Sequence, residues 1–131
     1  MGNMTEQAAD VLSRHCPSQG VLEMVTGKWS VLVLYALRAG TLRYSELEQA
    51  VDGISQKMLT QTLRDLERNG LVARTAYPVV PPRTEYRLTD LGASLEGIVT
   101  DLGRWAQNNM GAVLVARQDY DGRRGGQAQA R

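Results

Sequence analysis

One cysteine and one histidine are all that the 131 residues provide of the side chains most used for metal binding and nucleophilic chemistry. A lone cysteine excludes an intrachain disulfide. Its neighbour His15 does not make a catalytic pair with Cys16, because side chains adjacent in sequence need not face one another. No carboxylate pair at catalytic spacing, no metal-ligand cluster and no phosphate-cradling glycine-rich motif accompanies them. The sequence therefore predicts a protein that is not an enzyme and carries no metal or cofactor.

Long apolar runs are also missing. The longest, VLVLYAL at Val31 to Leu37, is far too short to cross a bilayer. Nothing at the start reads as a secretory signal, and the opening MGNMTE fails as a myristoylation motif because Glu6 stands where Ser or Thr is needed. The expectation is a soluble, cytoplasmic protein with no membrane partner. Excess charge is absent too: the net charge is +1, with 43% hydrophobic and 22% charged residues, the balance of an ordinary globular domain. Total charge makes no case for nucleic acid, although residues 38–87 are net positive while the first 37 are net negative.

What is present is helical periodicity interrupted by one hairpin signal. Thr5 to Arg14 reads as a short helix carrying Val11 and Leu12. Cys16-Pro17 ends it and opens a second, with Val21, Leu22 and Val25 inward, up to Gly27. Trp29, Leu32, Val33, Ala36 and Leu37 follow the i, i+3, i+4, i+7, i+8 template of a core helix closed by Gly40. Thr41 to Tyr44 reads as a short extended piece. Ser45 and Glu48 have capping-box spacing for the next helix, which ends in the Asp52-Gly53 turn. The stretch Ile54 to Val72 reads as the next helix, with Ser55 as N-cap and Asn69-Gly70 as stop.

That last helix has two unlike faces. Residues 100° apart put Met58, Leu59, Thr62, Leu63 and Leu66 on one side and Lys57, Thr60, Gln61, Arg64 and Arg68 on the other, with Asp65 and Glu67 at the borders. Two β-rich runs come next, Leu71 to Tyr77 and Thr84 to Leu88, the second with Thr84, Tyr86 and Leu88 inward. PVVPPR between them is a loop stiffened by three prolines. Helix, turn, helix, hairpin is the winged helix-turn-helix order, with Pro78 to Arg83 as the wing. Thr89 caps a long final helix in which Leu91, Leu95, Ile98, Leu102 and Trp105 are spaced 4, 3, 4 and 3, a seam suited to a dimer interface and open to Val11 and Leu12 from the first helix. Trp29 and Trp105 lie on apolar stripes and read as packing residues. The fold expected is mainly α with a small β-hairpin (α+β): a winged helix-turn-helix over residues 1–110, with N- and C-terminal dimerisation helices and a flexible tail at 111–131.

The sequence resembles the HxlR family of bacterial winged-helix regulators, a branch close to the MarR-type repressors. The resemblance is carried by CP at Cys16 and Pro17, GKWS at Gly27 to Ser30, LRYSEL at Leu42 to Leu47, GISQKMLTQTLRDLERNGLV at Gly53 to Val72, and YPVVPPRTEYRLTDLG at Tyr77 to Gly92. It implies a homodimer whose paired recognition helices bind double-stranded DNA at an inverted-repeat operator. The residues allow this independently. Lys57 and Arg64 suit phosphates or guanine, Gln56 and Gln61 suit adenine edges, and Ser55 and Thr60 suit either role. Pro82 and Arg83 would meet DNA from the wing tip. Arg43 and Tyr44 would do so from the start of the preceding helix, although Arg83 could instead pair with Glu85 and Tyr44 could instead be core.

Cys16 follows Arg14 and His15 and precedes a helix N-terminus; positive charge and the helix dipole both stabilise a thiolate, which reacts readily with oxidants and electrophiles where it is accessible. The resemblance implies sensing of an oxidant, quinone or aldehyde at such an N-terminal cysteine; the alternative is a small buried side chain at a helix junction. Two further readings stay open: control by a non-covalent small molecule, and a winged-helix module that binds protein instead of DNA.

Overall fold

The computed structural model describes the backbone of residues 11–129 and the side chains of residues 11–125. The chain forms two compact units, Met1–Gly97 and Ile98–Arg131. Among the described residues no single helix is long and apolar enough to cross a membrane.

The first unit begins with turns at residues 11–15; the rest of the expected first helix lies outside the described residues. Helix α1 (Pro17–Thr26) starts where the Pro17 ring pre-sets φ and Cys16 serves as N-cap. Gly27 separates it from α2 (Lys28–Ala36). Helix α1 buries Val25 alone; Val21 and Leu22, expected inside, are exposed. Helix α2 buries Ser30, Val33 and Leu34, and a 3-10 turn, Leu37–Ala39, adds Leu37. The template expected Leu32 inside and missed Leu34. The burial of Val33, Leu34 and Leu37 sets a face rotated from the one the template describes, and tertiary contact decides it.

Strand β1 (Leu42–Arg43) leads straight into α3 (Tyr44–Ala50). Glu46 Oε1 accepts the Arg43 amide at 2.8 Å, so the helix opens two positions earlier than the Ser45–Glu48 spacing implied. Gly53, at φ 85°, turns the chain toward α4 (Gln56–Arg68). Ser55 Oγ accepts the Met58 amide at 3.1 Å and caps it. At the other end Gly70, at φ 78°, completes a Schellman motif: the Leu71 amide donates to the Leu66 carbonyl at 2.9 Å and the Gly70 amide to the Glu67 carbonyl at 3.0 Å. Asn69 Nδ2 adds a bond to the Asp65 carbonyl at 2.7 Å.

Strands β2 (Val72–Tyr77) and β3 (Arg83–Leu88) form the hairpin, and β1 joins the far edge in the order β1-β3-β2, all antiparallel. Val72 pairs with Leu88, Arg74 with Tyr86 and Tyr77 with Arg83, while Leu42 lies opposite Tyr86 from the other side. Val33, Leu34, Leu37, Leu47, Leu59, Leu63 and Leu66 are the fully buried centre, and Val72 and Tyr86 bring the sheet onto it. Each such aliphatic side chain contributes on the order of 1.5–3 kcal/mol through burial, so the centre fixes how α3, α4 and the sheet are held together.

Helix α5 (Asp90–Gln129) is capped by Thr89, whose Oγ1 accepts the Gly92 amide at 3.0 Å and donates to the Gly70 carbonyl. In the second unit it stays helical to Gln129, where residues 111–131 had been expected to form a flexible tail. The physical reason is that extending an established helix needs no new nucleus, and Ala, Leu, Arg and Gln at 112–118 extend it well. Local bonds add to this: Asn109 Nδ2 to the Trp105 carbonyl at 2.8 Å, and an Arg124 guanidinium N–H to the Tyr120 hydroxyl at 3.0 Å.

Candidate nucleic-acid interface

The polar face of α4 arises because the opposite face is consumed by the core. Leu59, Thr62, Leu63 and Leu66 are buried, which turns Gln56, Lys57, Gln61 and Arg64 outward. Met58, placed inside by periodicity, is 40% exposed. Neither Lys57 nor Arg64 forms a salt bridge among the described residues, so two full positive charges stand free on this face, Lys57 beside the helix N-terminus and Arg64 about two turns further on. The partial positive charge of that terminus adds to the attraction for phosphate.

The remaining polar groups are more committed. Ser55 spends its hydroxyl oxygen on the cap. Gln61 Nε2 donates to Asp65 Oδ1 at 3.1 Å, which steers the amide along the helix. The half-buried Tyr44 donates its hydroxyl hydrogen to the Gln56 carbonyl at 3.1 Å. Because that hydrogen is used, Thr60 must be the donor in the 3.0 Å contact between Thr60 Oγ1 and the Tyr44 hydroxyl. Tyr44 thus pins the first turn of α4 to the start of α3, a positioning role beside the two expected for it, contact with the DNA backbone or core.

The wing carries the largest departure from expectation. Arg83 was placed at its tip, yet it is the first residue of β3, in register with Tyr77. Val79 and Val80 occupy the tip, and Val80 is 100% exposed. The Arg83 guanidinium lies 4.5 Å from the Tyr77 ring centre, and its Nε is 3.5 Å from Glu85 Oε1. Arg43, Tyr44, Ser45 and Val79 to Thr84, including Pro82, line a cleft of about 450 Å³ between the start of α3 and the wing. Arg43, Tyr44, Pro82 and Arg83 are therefore brought together, next to but apart from the exposed face of α4.

A second cleft, of about 410 Å³, joins Arg64 and Thr60 to Tyr44, Glu67, Tyr86 and Arg74. Arg74 went unnoticed in the sequence. The available signal was strand alternation, which puts this arginine on the same face as Val72, where a core residue is expected.

A model of the HxlR-like helix-turn-helix matches residues 24–113. The chain belongs to the HxlR-like helix-turn-helix family. Its HxlR-type sequence is 46% identical over 110 residues to the uncharacterized HTH-type transcriptional regulator YtfH of Escherichia coli (strain K12), covering 84% of this chain and 87% of that protein. The solved structure of the putative transcriptional regulator ytfH from Salmonella typhimurium matches with a TM-score of 0.80 at 45% identity, over 83% of this chain and 97% of that one. The redox regulator HypR in its oxidized form matches with a TM-score of 0.66 at 39% identity, over 72% and 97%. This HxlR-family chain is a helix-turn-helix transcriptional regulator with a winged-helix fold, in which α3 and α4 are the helix-turn-helix and β2 and β3 the wing.

Cys16 does not have the accessibility expected of it. It is 4% exposed, while Arg14 and His15 beside it face solvent, with Arg14 Nε donating to His15 Nε2 at 3.3 Å. Pro17 follows and the chain turns into α1, leaving Cys16 buried at the N-cap of that helix. Of the expected dimer seam, Leu91, Ile98 and Leu102 are exposed along with Trp105 at 59%, Leu95 is half-buried, and Val11 and Leu12 are exposed.

Proposed function

We propose that this regulator acts in the cytoplasm as a homodimer on double-stranded DNA, reading an inverted-repeat operator through α4. The observation that carries the reading is the exposed stripe Gln56, Lys57, Gln61 and Arg64, free of ion pairs among the described residues, on a helix whose other face is buried leucine. Gln56 and Gln61 suit adenine edges, and Lys57 and Arg64 suit guanine or phosphate. Arg43, Thr60, Pro82 and Arg83 flank them and address the backbone. Ser55 acts chiefly by capping.

The dimer reading is supported by apolar side chains on α5 that stay exposed in a single protomer, a pattern that costs free energy unless a partner covers them. Two-fold symmetry then predicts half-sites about 34–36 Å apart, or a multiple of that distance. The test is selection of bound duplexes from genomic fragments by the full chain, under reducing and oxidising conditions. Recovery of a palindromic sequence supports the reading; recovery of no enriched sequence refutes it.

A second reading adds redox or electrophile control through Cys16, supported by its place at the N-cap of α1 and by the likeness to HypR, a protein named as a redox regulator. Burial adds a condition: an oxidant, quinone or aldehyde reaches Cys16 only when the structure around it opens locally. The rate of thiol modification should then rise with mild denaturant well before global unfolding. A rate that stays flat until global unfolding contradicts this reading.

A further inference from the structure

We propose that Glu85 tunes DNA affinity by competing with a backbone phosphate for Arg83, with Tyr77 as the support that keeps the competition in place. The proposal rests on the DNA-binding reading above and assigns a role to two residues outside the expected contact set.

The three side chains share one face of the β2–β3 hairpin. Tyr77 and Arg83 are register partners, and Glu85 stands two residues along β3 on the same side. The Tyr77 hydroxyl donates to Glu85 Oε2 at 3.2 Å, which leaves Oε1 facing Arg83 Nε at 3.5 Å. The guanidinium packs over the Tyr77 ring at 4.5 Å. Arg83 is therefore held by charge and by the ring face, but its Nε, though buried, has no hydrogen-bond acceptor. Nε is shut off from solvent while the side chain as a whole is 37% exposed, so a phosphate meets the guanidinium through its other N–H groups, whose fork suits it.

A place for that phosphate lies alongside. Arg83 and Arg43 line the same cleft of about 450 Å³ between the wing and the start of α3. The tip residues Val79 and Val80 have no side-chain donors to offer, so the charged contact of the wing falls to Arg83. Without DNA, Glu85 neutralises Arg83 and the ring prevents it from swinging freely. With DNA, the phosphate displaces Glu85 at the guanidinium. Part of the binding free energy of Arg83 is thus spent on breaking an existing pair, and Glu85 sets how much. Both groups are partly exposed, at 37% and 23%, which places the pair in the weak range of surface ion pairs.

The experiment uses the full chain and the tightest-binding duplex recovered by selection from random-sequence DNA, with affinity measured by fluorescence anisotropy across a salt series. Glu85→Gln keeps the size of the side chain and an oxygen for the Tyr77 hydroxyl while removing the charge. It should tighten binding about two- to fivefold, as release of a pair of this class allows. The gain should vanish in the Arg83→Ala background. Tyr77→Phe, which frees Glu85 from its hydroxyl bond but keeps the ring, should change affinity less than Glu85→Gln and only while Arg83 is present. Unchanged affinity in Glu85→Gln overturns the proposal, as does an equal gain with and without Arg83, which is the signature of simple charge removal. Failure of the underlying DNA reading looks different: no duplex would be enriched by the wild-type chain at all.

Discussion

Gly92→Ala places a methyl group where the chain leaves no room. An added Cβ would overlap the Leu71 carbonyl oxygen and lie 3.0 Å from the carbonyl carbon and 3.3 Å from Leu88 Cδ2. The same Leu71 oxygen accepts the Thr89 amide at 3.1 Å, and Thr89 Oγ1 accepts the Gly92 amide at 3.0 Å. The start of α5 and the start of β2 are therefore tied from both sides and separate only by loosening these bonds. Helix propensity pulls the other way, since alanine is better than glycine in a helix by about 1 kcal/mol. Against it stand about 1–3 kcal/mol of overpacking strain and about 1 kcal/mol for the weakened hydrogen bonding. The net expectation is destabilisation by about 1–3 kcal/mol, or roughly 3–5 °C of melting temperature per kcal/mol for a domain of this size. Thermal melts by circular dichroism at one fixed protomer concentration measure it, because association would otherwise shift the midpoint. Gly97→Ala, with no atom within 4 Å of the new methyl, is the control and should gain up to about 1 kcal/mol. If Gly92→Ala stabilises as Gly97→Ala does, the close approach at Leu71 is not what holds this junction.

Other outcomes follow from single contacts. Tyr44→Phe deletes the bonds to the Gln56 carbonyl and Thr60 Oγ1 and should weaken DNA binding about fivefold, the equivalent of one hydrogen bond of about 1 kcal/mol; unchanged affinity in an anisotropy titration would show that Tyr44 does not position α4. Leu102→Asp, on the exposed stripe of α5, should shift the particle toward the monomer mass by light scattering on a sizing column, and an unaltered mass would remove α5 from the interface. Cys16→Ser should leave DNA binding under reducing conditions intact and abolish its response to a thiol oxidant; a response equal to wild type would place sensing elsewhere.

The parts of this molecule that local rules govern were legible. The Ser55 cap, the Asn69-Gly70 stop and the wing prolines each act through neighbouring backbone, so α4, β2 and β3 could be placed from residues alone. Faces set by distant contact were less so. Leu32 and Leu34 exchanged roles on α2, and Val21, Leu22 and Met58 stayed outside, because which side of a short helix is covered depends on where its partners lie. The start of α3 was missed by two positions, since Arg43 supplies the capped amide through its backbone and its side chain gives no sign of it. Arg83 and Glu85 illustrate the limit at the site. Their pairing was open to reading from two positions on one strand, but hairpin register places Arg83 at the base of the wing, whereas the proline pattern only marks a loop. The helical stretch beyond residue 111 was hidden because a chain extending an existing helix needs no amphipathic stripe of its own.

The central claim is that the free cations of α4 meet DNA, and salt dependence tests it most directly. With the selected duplex, the slope of log affinity against log salt should become shallower by about 0.9 for Lys57→Ala or Arg64→Ala at each position that neutralises a phosphate, with affinity lost alongside. A wild-type slope near zero, or slopes and affinities that both variants leave unchanged, would contradict the account.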